Sequence, residues 1–423
     1  MRALLGIVLL IGIAYLFSTN RKAINWRTIG GAFVLQLILA VLILKVPYVD
    51  TAFDWLSKGF VKVIGFTDFG SDFLFGSFID GKVDNALLNF AFRVLPTIVF
   101  FSALSALMYY LGILQMIVYA FAWLMKRTLK LSGAESLAAA GNVFLGQTEA
   151  PLLIRPFLNG MTKSEMMCLM TGGMATIAGG VLASYINFLG GDDPVQKVLF
   201  AKHLLTASIM SAPAAIAAAK ILVPESDHFD NRMEISKDRM GSNVLEALAN
   251  GTSDGLKLAV NVGAMLLVFT GLIYFGNYIL EKVGGVTGLN AWLASNTAYD
   301  TFSFQMILGY LGAPVAWLLG VSSDDAILVG QLLGEKTILN EFYAYVTLGD
   351  LKETGMFKEQ KSVIIATYIL CGFANFASIG IQIGGIGSLV PERKGLLSQL
   401  GMRALLGGTI ASLFTAGIAG LLL

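Results

Sequence analysis

Charge is what this chain has least of: 13% of its 423 residues are charged, against 56% hydrophobic. A water-soluble fold could not hide that much apolar surface, so the chain belongs in a bilayer, with membrane lipid as a partner. The 29 basic and 28 acidic residues nearly cancel, which removes nucleic acid as a partner and gives no acidic-ligand surface. Histidine is equally scarce, at two residues. With no H-E-x-x-H and no paired-aspartate motif inside a span, the chain is not expected to be an enzyme. The two cysteines, Cys168 and Cys371, sit in apolar runs without a C-x-x-C or metal-ligand pattern, and are expected to be core thiols.

What is abundant is apolar length. Eight stretches can cross about 30 Å of hydrocarbon: 3–17, 29–46, 86–110, 165–189, 197–223, 256–280, 362–389 and 396–423. The first ends in Ser18-Thr19-Asn20-Arg21-Lys22 without a small-x-small cleavage pattern, so it reads as a helix and not as a cleaved signal. Residues 113–124 and 302–319 read as interfacial helices, and 133–158 and 325–348 as Gly-broken segments with acidic residues. Arg21, Lys22 and Arg27 between the first two spans set the N-terminus outside. Counting onward puts Lys126, Arg127, Lys130, Arg155, Lys163, Arg393 and Lys394 inside and Asp192-Asp193 outside, provided the two broken segments are re-entrant hairpins. Arg93 and Arg403 are expected to be structural, and Asp324-Asp325 to cap the second hairpin's helix.

The chain also repeats itself. Aligning Glu149 with Glu341 matches 133–149 to 325–341, and a Gly-rich helix follows each, where Ala175-Thr176-Ile177-Ala178 resembles Ala377-Ser378-Ile379-Gly380. Each unit holds three full spans, an odd number, so the two units are inverted, as in secondary transporters. The expected fold is therefore all-α and polytopic: eight transmembrane helices, two re-entrant hairpins, interfacial helices and an inverted repeat. Residues 1–85 form scaffold helices and an outer loop, 86–223 the first repeat, 224–254 a cytoplasmic linker with Lys237 and Asp238, and 255–423 the second repeat.

A carboxylate deep in an apolar segment costs a few kcal/mol, so Glu149 and Glu341 are functional candidates, the alternative being that each only caps a half-helix. Gln147, Thr148, Asn340, Asn375 and Ser378 accompany them. Amides and hydroxyls beside carboxylates suit a neutral polyhydroxylated ligand with a hydrogen-bonding ring. The lack of an Arg or Lys cluster argues against phosphorylated substrates. The glycines and hydroxyls of 171–180 allow a helix to unwind and offer carbonyls to a hard cation, or equally allow close helix packing.

The run GNVFLGQTEAP from Gly141 to Pro151 resembles the first-hairpin signature of concentrative nucleoside transporters. GEKTILNEFYAY from Gly334 to Tyr345 is similar to that family's G-x-K-x-x-x-N-E-F-x-A-Y motif, with Tyr343 where valine is usual. The resemblance implies a sodium-coupled importer of nucleosides such as uridine, a homotrimer in the bacterial inner membrane, working by an elevator motion. It further implies that Gln147, Thr148, Glu149, Val181 and Phe373 face the nucleobase and that Glu341, Asn375 and Ser378 hold the ribose. Asn142 and Thr176, with carbonyls of Leu145 and Ile177, would form the sodium site. The hairpins and broken spans would move against a frame of spans one, two, three and six. A proton-coupled nucleoside symporter, with Glu149 or Glu341 titrating, is the alternative.

Overall fold

The computed structural model describes residues 2–79, 95–191, 193–235, 241–297 and 299–423, and every regular element in them is helical. Arg93, Asp192, Lys237, Asp238 and the start of the third expected span, 86–94, lie outside the described residues. The first half runs α1 (Arg2–Leu16), α2 (Trp26–Lys45), α3 (Pro47–Ile79), α4 (Leu95–Tyr110), α5 (Ile113–Leu129), α6 (Gly133–Asn142), α7 (Ala150–Leu153), α8 (Lys163–Ala175), α9 (Gly179–Gly190) and α10 (Pro194–Leu222). The second half runs α11 (Val244–Thr287), α12 (Leu289–Asn296), α13 (Phe304–Leu318), α14 (Ala326–Ile338), α15 (Glu341–Glu353), α16 (Gln360–Leu370), α17 (Phe376–Leu389) and α18 (Lys394–Leu422).

Among the described residues, five units are long and apolar enough to cross a membrane: Trp26–Lys45, Lys163–Gly190, Pro194–Leu222, Val244–Thr287 and Pro391–Leu422. At Gly112, in the left-handed region with φ 78°, the chain turns 75° from α4 into α5, so the two helices count at most as one further, bent span. Both cysteines are free and buried, as expected of core thiols.

Both acidic segments fold back on themselves. At the base of the first, Glu135 near its start pairs with Lys220 at 2.6 Å, and Lys220 donates to Ser164 Oγ, just past its end, at 3.0 Å. Glu225 joins the cluster by accepting from Thr162 Oγ1 at 2.8 Å. At the base of the second, Asp325 accepts from the backbone N–H groups of Lys358 at 2.8 Å and Glu359 at 3.1 Å, so residues 325 and 358 meet where that segment opens and closes. Asp325 does not cap its own helix with its side chain, contrary to the sequence reading. A carboxylate that accepts from the chain leaving the hairpin ties two chain ends, whereas a cap ties one.

The two bases sit at opposite ends of the same helices. α1, 15 residues and about 22 Å long, packs Gly6 on Leu318 at its start, beside the second base. Past its other end, Thr19 N–H donates to Leu222 O at 2.9 Å, beside Lys220 of the first base. α18 repeats the pattern: Arg393 donates to Met161 O at one end, and Gly420 packs on Leu319 O at the other. The hairpin tips therefore approach each other from opposite sides of the molecule.

Candidate functional site

The first broken helix is written into its residues. Thr176 and Ile177, β-branched and poor helix formers, stand between glycine pairs. α8 stops at Ala175, Thr176 and Ala178 take extended angles (φ −115°, ψ 167° and φ −68°, ψ 145°), and α9 restarts at Gly179. The tip of the first hairpin lies beside this break, since Gly179 N–H donates to Phe144 O at 3.3 Å. α6 ends at Asn142 and α8 at Ala175, so two helix C-termini, each with partial negative charge, converge here.

This place fits a hard cation. Asn142 is buried, and its Oδ1 accepts no hydrogen bond from the described residues, although Nδ2 reaches Leu169 O at 3.4 Å. A buried amide oxygen left without a donor is costly unless something positive meets it. Thr176 Oγ1 donates to Gly172 O at 2.9 Å, which leaves its lone pairs free to face a cation. Leu145 and Ile177 are buried on the same two segments. Oxygen-only donors of this kind suit sodium.

The second broken helix does not break at the residues that resemble 175–178. Ala377-Ser378-Ile379-Gly380 is helical, inside α17, and the break falls earlier, between Leu370 and Phe376. Two local features put it there: Gly372 at φ 130°, and Asn375, whose Oδ1 caps α17 by accepting from Ser378 N–H at 2.9 Å. The two breaks touch. A Cβ on Gly372 would lie 2.8 Å from the carbonyl carbon and oxygen of Ala175 and from Met174 O. Close approach recurs at Gly173, where a Cβ would lie 2.7 Å from Gln382 Nε2 and 2.9 Å from Gln147 Cβ.

One polar network runs through this crossing. Glu341, 3% exposed at the start of α15, accepts from Asn375 Nδ2 at 2.7 Å and from Tyr185 Oη at 3.2 Å. Asn375 bonds Ser378, whose hydroxyl accepts from Gln147 Nε2 at 3.2 Å. Gln147 Oε1 in turn accepts from Gln382 Nε2 at 3.1 Å. The tip of the first hairpin and the glutamate of the second are thus joined through α17. Val181 is buried one turn before Tyr185 in α9, and Phe373 is half-buried in the second break. Glu149 is half-buried and accepts from Gly146 N–H at 3.1 Å, outside the network, and Thr148 is exposed, packed toward Gly385.

Sequence reasoning missed Tyr185, Gln382 and Lys336. Tyr185 and Gln382 lie four residues after Val181 and Ser378 on their helices, a spacing that puts each pair on one face and gave the available signal. Lys336 stands in an apolar segment five residues before Glu341, itself the mark of a functional position.

Family models for the N-terminus and the C-terminus of the Na+ dependent nucleoside transporter match residues 5–78 and 203–420, and a nucleoside-recognition (gate) model matches 91–192. An uncharacterized transporter of Haemophilus influenzae is 41% identical over 99% of this chain and 97% of its own length. Human solute carrier family 28 member 3 and rat sodium/nucleoside cotransporter 1 are each 39% identical over 99% of this chain. The chain spans 59% and 63% of those two longer relatives. The transporter CNTnw, solved in an inward-facing substrate-bound state, superposes with a TM-score of 0.88 at 38% identity, covering 100% of this chain and 98% of that one. A substituted form of CNTnw in an outward-facing state superposes equally well, at 0.88 and 38% identity, covering 100% and 97%. With family models along most of its length, a relative matched nearly end to end and a shared fold, this chain belongs to the Na+-dependent, concentrative nucleoside transporter family, and is a nucleoside transporter and not an enzyme.

Proposed function

We propose that the chain is a sodium-coupled nucleoside symporter that imports nucleosides such as uridine by an elevator-type motion. The observation that carries this reading is the network from Gln147 through Ser378 and Asn375 to Glu341, which gathers a carboxylate, amides and a hydroxyl from both hairpins and from α17 and its cap into one buried place. Glu341, Asn375 and Ser378 take the ribose hydroxyls. Gln147, Thr148, Glu149, Val181 and Phe373 take the base, with Tyr185 and Gln382 orienting Glu341 and Gln147.

Sodium, bound by Asn142, Thr176 and the carbonyls of Leu145 and Ile177, orders the tip of the first hairpin against the first break. Gln147 is on that tip, so ion and nucleoside bind cooperatively. With one charge moving inward, 100 mV supplies ~2.3 kcal/mol and a tenfold sodium gradient ~1.4 kcal/mol, enough for roughly 500-fold accumulation.

The hairpins and broken spans travel as a block. We assign α1 and α2, which the sequence reading put in the frame, to this block instead, since Gln36 of α2 donates to Thr415 of α18 in a buried bond at 3.0 Å and α1 packs on the loops around both hairpin bases. The frame is then α4 and α11, which pack through Gly251 and Gly255 on Val99, Ser102 and Ala103. The apolar window of α11 is 19% buried, against 89% for α10, and this uncovered face is where copies meet in a homotrimer. The chain resides in the bacterial inner membrane, with its N-terminus outside and the two hairpins re-entrant from opposite faces.

Radiolabelled uridine uptake into proteoliposomes tests the coupling: a sodium gradient drives accumulation at fixed pH, and uptake unchanged by removing it excludes sodium. Thr176→Ala removes one oxygen ligand and is expected to raise the half-saturating sodium concentration about fivefold; an unshifted sodium curve takes Thr176 out of the ion site. Glu149→Gln is expected to weaken uridine binding about tenfold with insertion intact, read by competition against labelled uridine.

A further inference from the structure

Lys336 is the one lysine whose side chain is completely buried among the described residues, at 0% exposure. Its Nζ donates to Ile369 O at 2.8 Å and to Ser412 Oγ at 3.1 Å, oxygens that carry no formal charge. Ser412 Oγ in turn donates to Cys371 O at 3.0 Å. Ile369 is the penultimate residue of α16, which stops at Leu370, and Cys371 is the first residue of the second break. Another of the carbonyls near that helix end, Thr367 O, accepts from Tyr345 Oη at 2.9 Å. The ammonium therefore sits on the partially negative C-terminus of a broken helix, held there by the hairpin of its own repeat.

The first repeat has the same architecture with a different occupant. Its helix α8 also stops at a break, the tip of its own hairpin also reaches that break through Phe144 O, and the buried Asn142 Oδ1 there has no donor among the described residues. Aligning Glu149 with Glu341 sets Phe144 opposite Lys336, each five residues before its glutamate. One repeat supplies its own cation to the broken end, and the other brings a phenylalanine that supplies none.

We propose that the Lys336 ammonium is a tethered cation filling, in the second repeat, the place that a sodium ion takes in the first. The carrier then has two cation places built on one plan, and of these two only one exchanges with solution. The tethered charge also holds the second break closed on the hairpin that presents Glu341. The comparison with the first repeat rests on the sodium reading above; the bonds of Lys336 do not.

Lys336→Ala vacates the place and leaves Ile369 O, Cys371 O and Ser412 Oγ for an ion from solution. In proteoliposomes, its sodium dependence is expected to steepen from a Hill coefficient of about 1 toward about 2, with uptake at low sodium down roughly tenfold and recovered at high sodium. Lys336→Arg, which keeps the charge, should retain the one-ion dependence. Lys336→Gln, which offers an amide oxygen and fills most of the volume, serves if the alanine form does not fold, and the same gain is expected of it. A folded variant whose sodium curve matches the wild type overturns the proposal, as does one that stays inactive at every sodium concentration. The wild-type arm reads the sodium assignment separately. If wild-type uptake ignores sodium, that assignment fails, while a variant that gains sodium dependence still supports the tethered cation and one that gains none contradicts it.

Discussion

Glu341→Gln is expected to weaken uridine binding by about 10- to 150-fold, the equivalent of about 1.5–3 kcal/mol for a hydrogen bond to a charged group. The argument starts from the carboxylate's neighbours. One oxygen accepts from Tyr185 Oη and the other from Asn375 Nδ2, so both partners are donors. An amide keeps the volume and one acceptor, but turns a second N–H group toward one of those donors. Asn375 cannot rotate its own oxygen to meet it, because Oδ1 is committed to Ser378 N–H as the cap of α17. The substitution therefore removes the charge to which the proposed function assigns the ribose hydroxyls, and disturbs the cap that positions Ser378. Size-exclusion behaviour should be unchanged, since volume is preserved. Isothermal titration with uridine reads the effect, and wild-type affinity would refute the ribose assignment.

Gly372→Ala is expected to be more damaging still. At φ 130° an L-residue is strained, by roughly 1–3 kcal/mol. The added methyl would also press on the carbonyl of Ala175 and on Met174 O at 2.8 Å, and overpacking of this kind costs about 1–3 kcal/mol more. Those carbonyls end α8, so the push falls on the first break as well. A lowered melting temperature, by several degrees or more, and loss of uptake at all sodium concentrations are expected together. Gly380→Ala is the control, because nothing lies within 4 Å of its Cβ position and Gly380 is inside helix α17; it should be neutral or stabilise by up to about 1 kcal/mol. Equal behaviour of the two variants would mean that the crossing is not tightly held.

Much of this arrangement was legible in the residues, for reasons that differ by element. The hairpins were visible because carboxylates at equivalent places in two apolar segments are expensive and hard to explain otherwise. The first break was visible because Thr176 and Ile177 stand between glycine pairs. The second was not located from the sequence, because a lone glycine is a weak signal, yet Gly372 and the cap Asn375 decide where the helix stops. Asp325 reads as a helix cap from its neighbours in sequence, and only folding brings the N–H groups of Lys358 and Glu359 to it. Tyr185 and Gln382 escaped for the same reason: their partners are more than 150 residues away in the chain. A long-range bond leaves no local pattern.

The sharpest single measurement is competition for labelled uridine uptake by a panel of nucleosides, nucleobases and nucleotides in proteoliposomes carrying an inward sodium gradient. A site that grips ribose with Glu341, Asn375 and Ser378, and has no cluster of bases for phosphate, lets nucleosides compete while nucleobases and nucleotides leave uptake untouched. Nucleobases competing as strongly as nucleosides would contradict it.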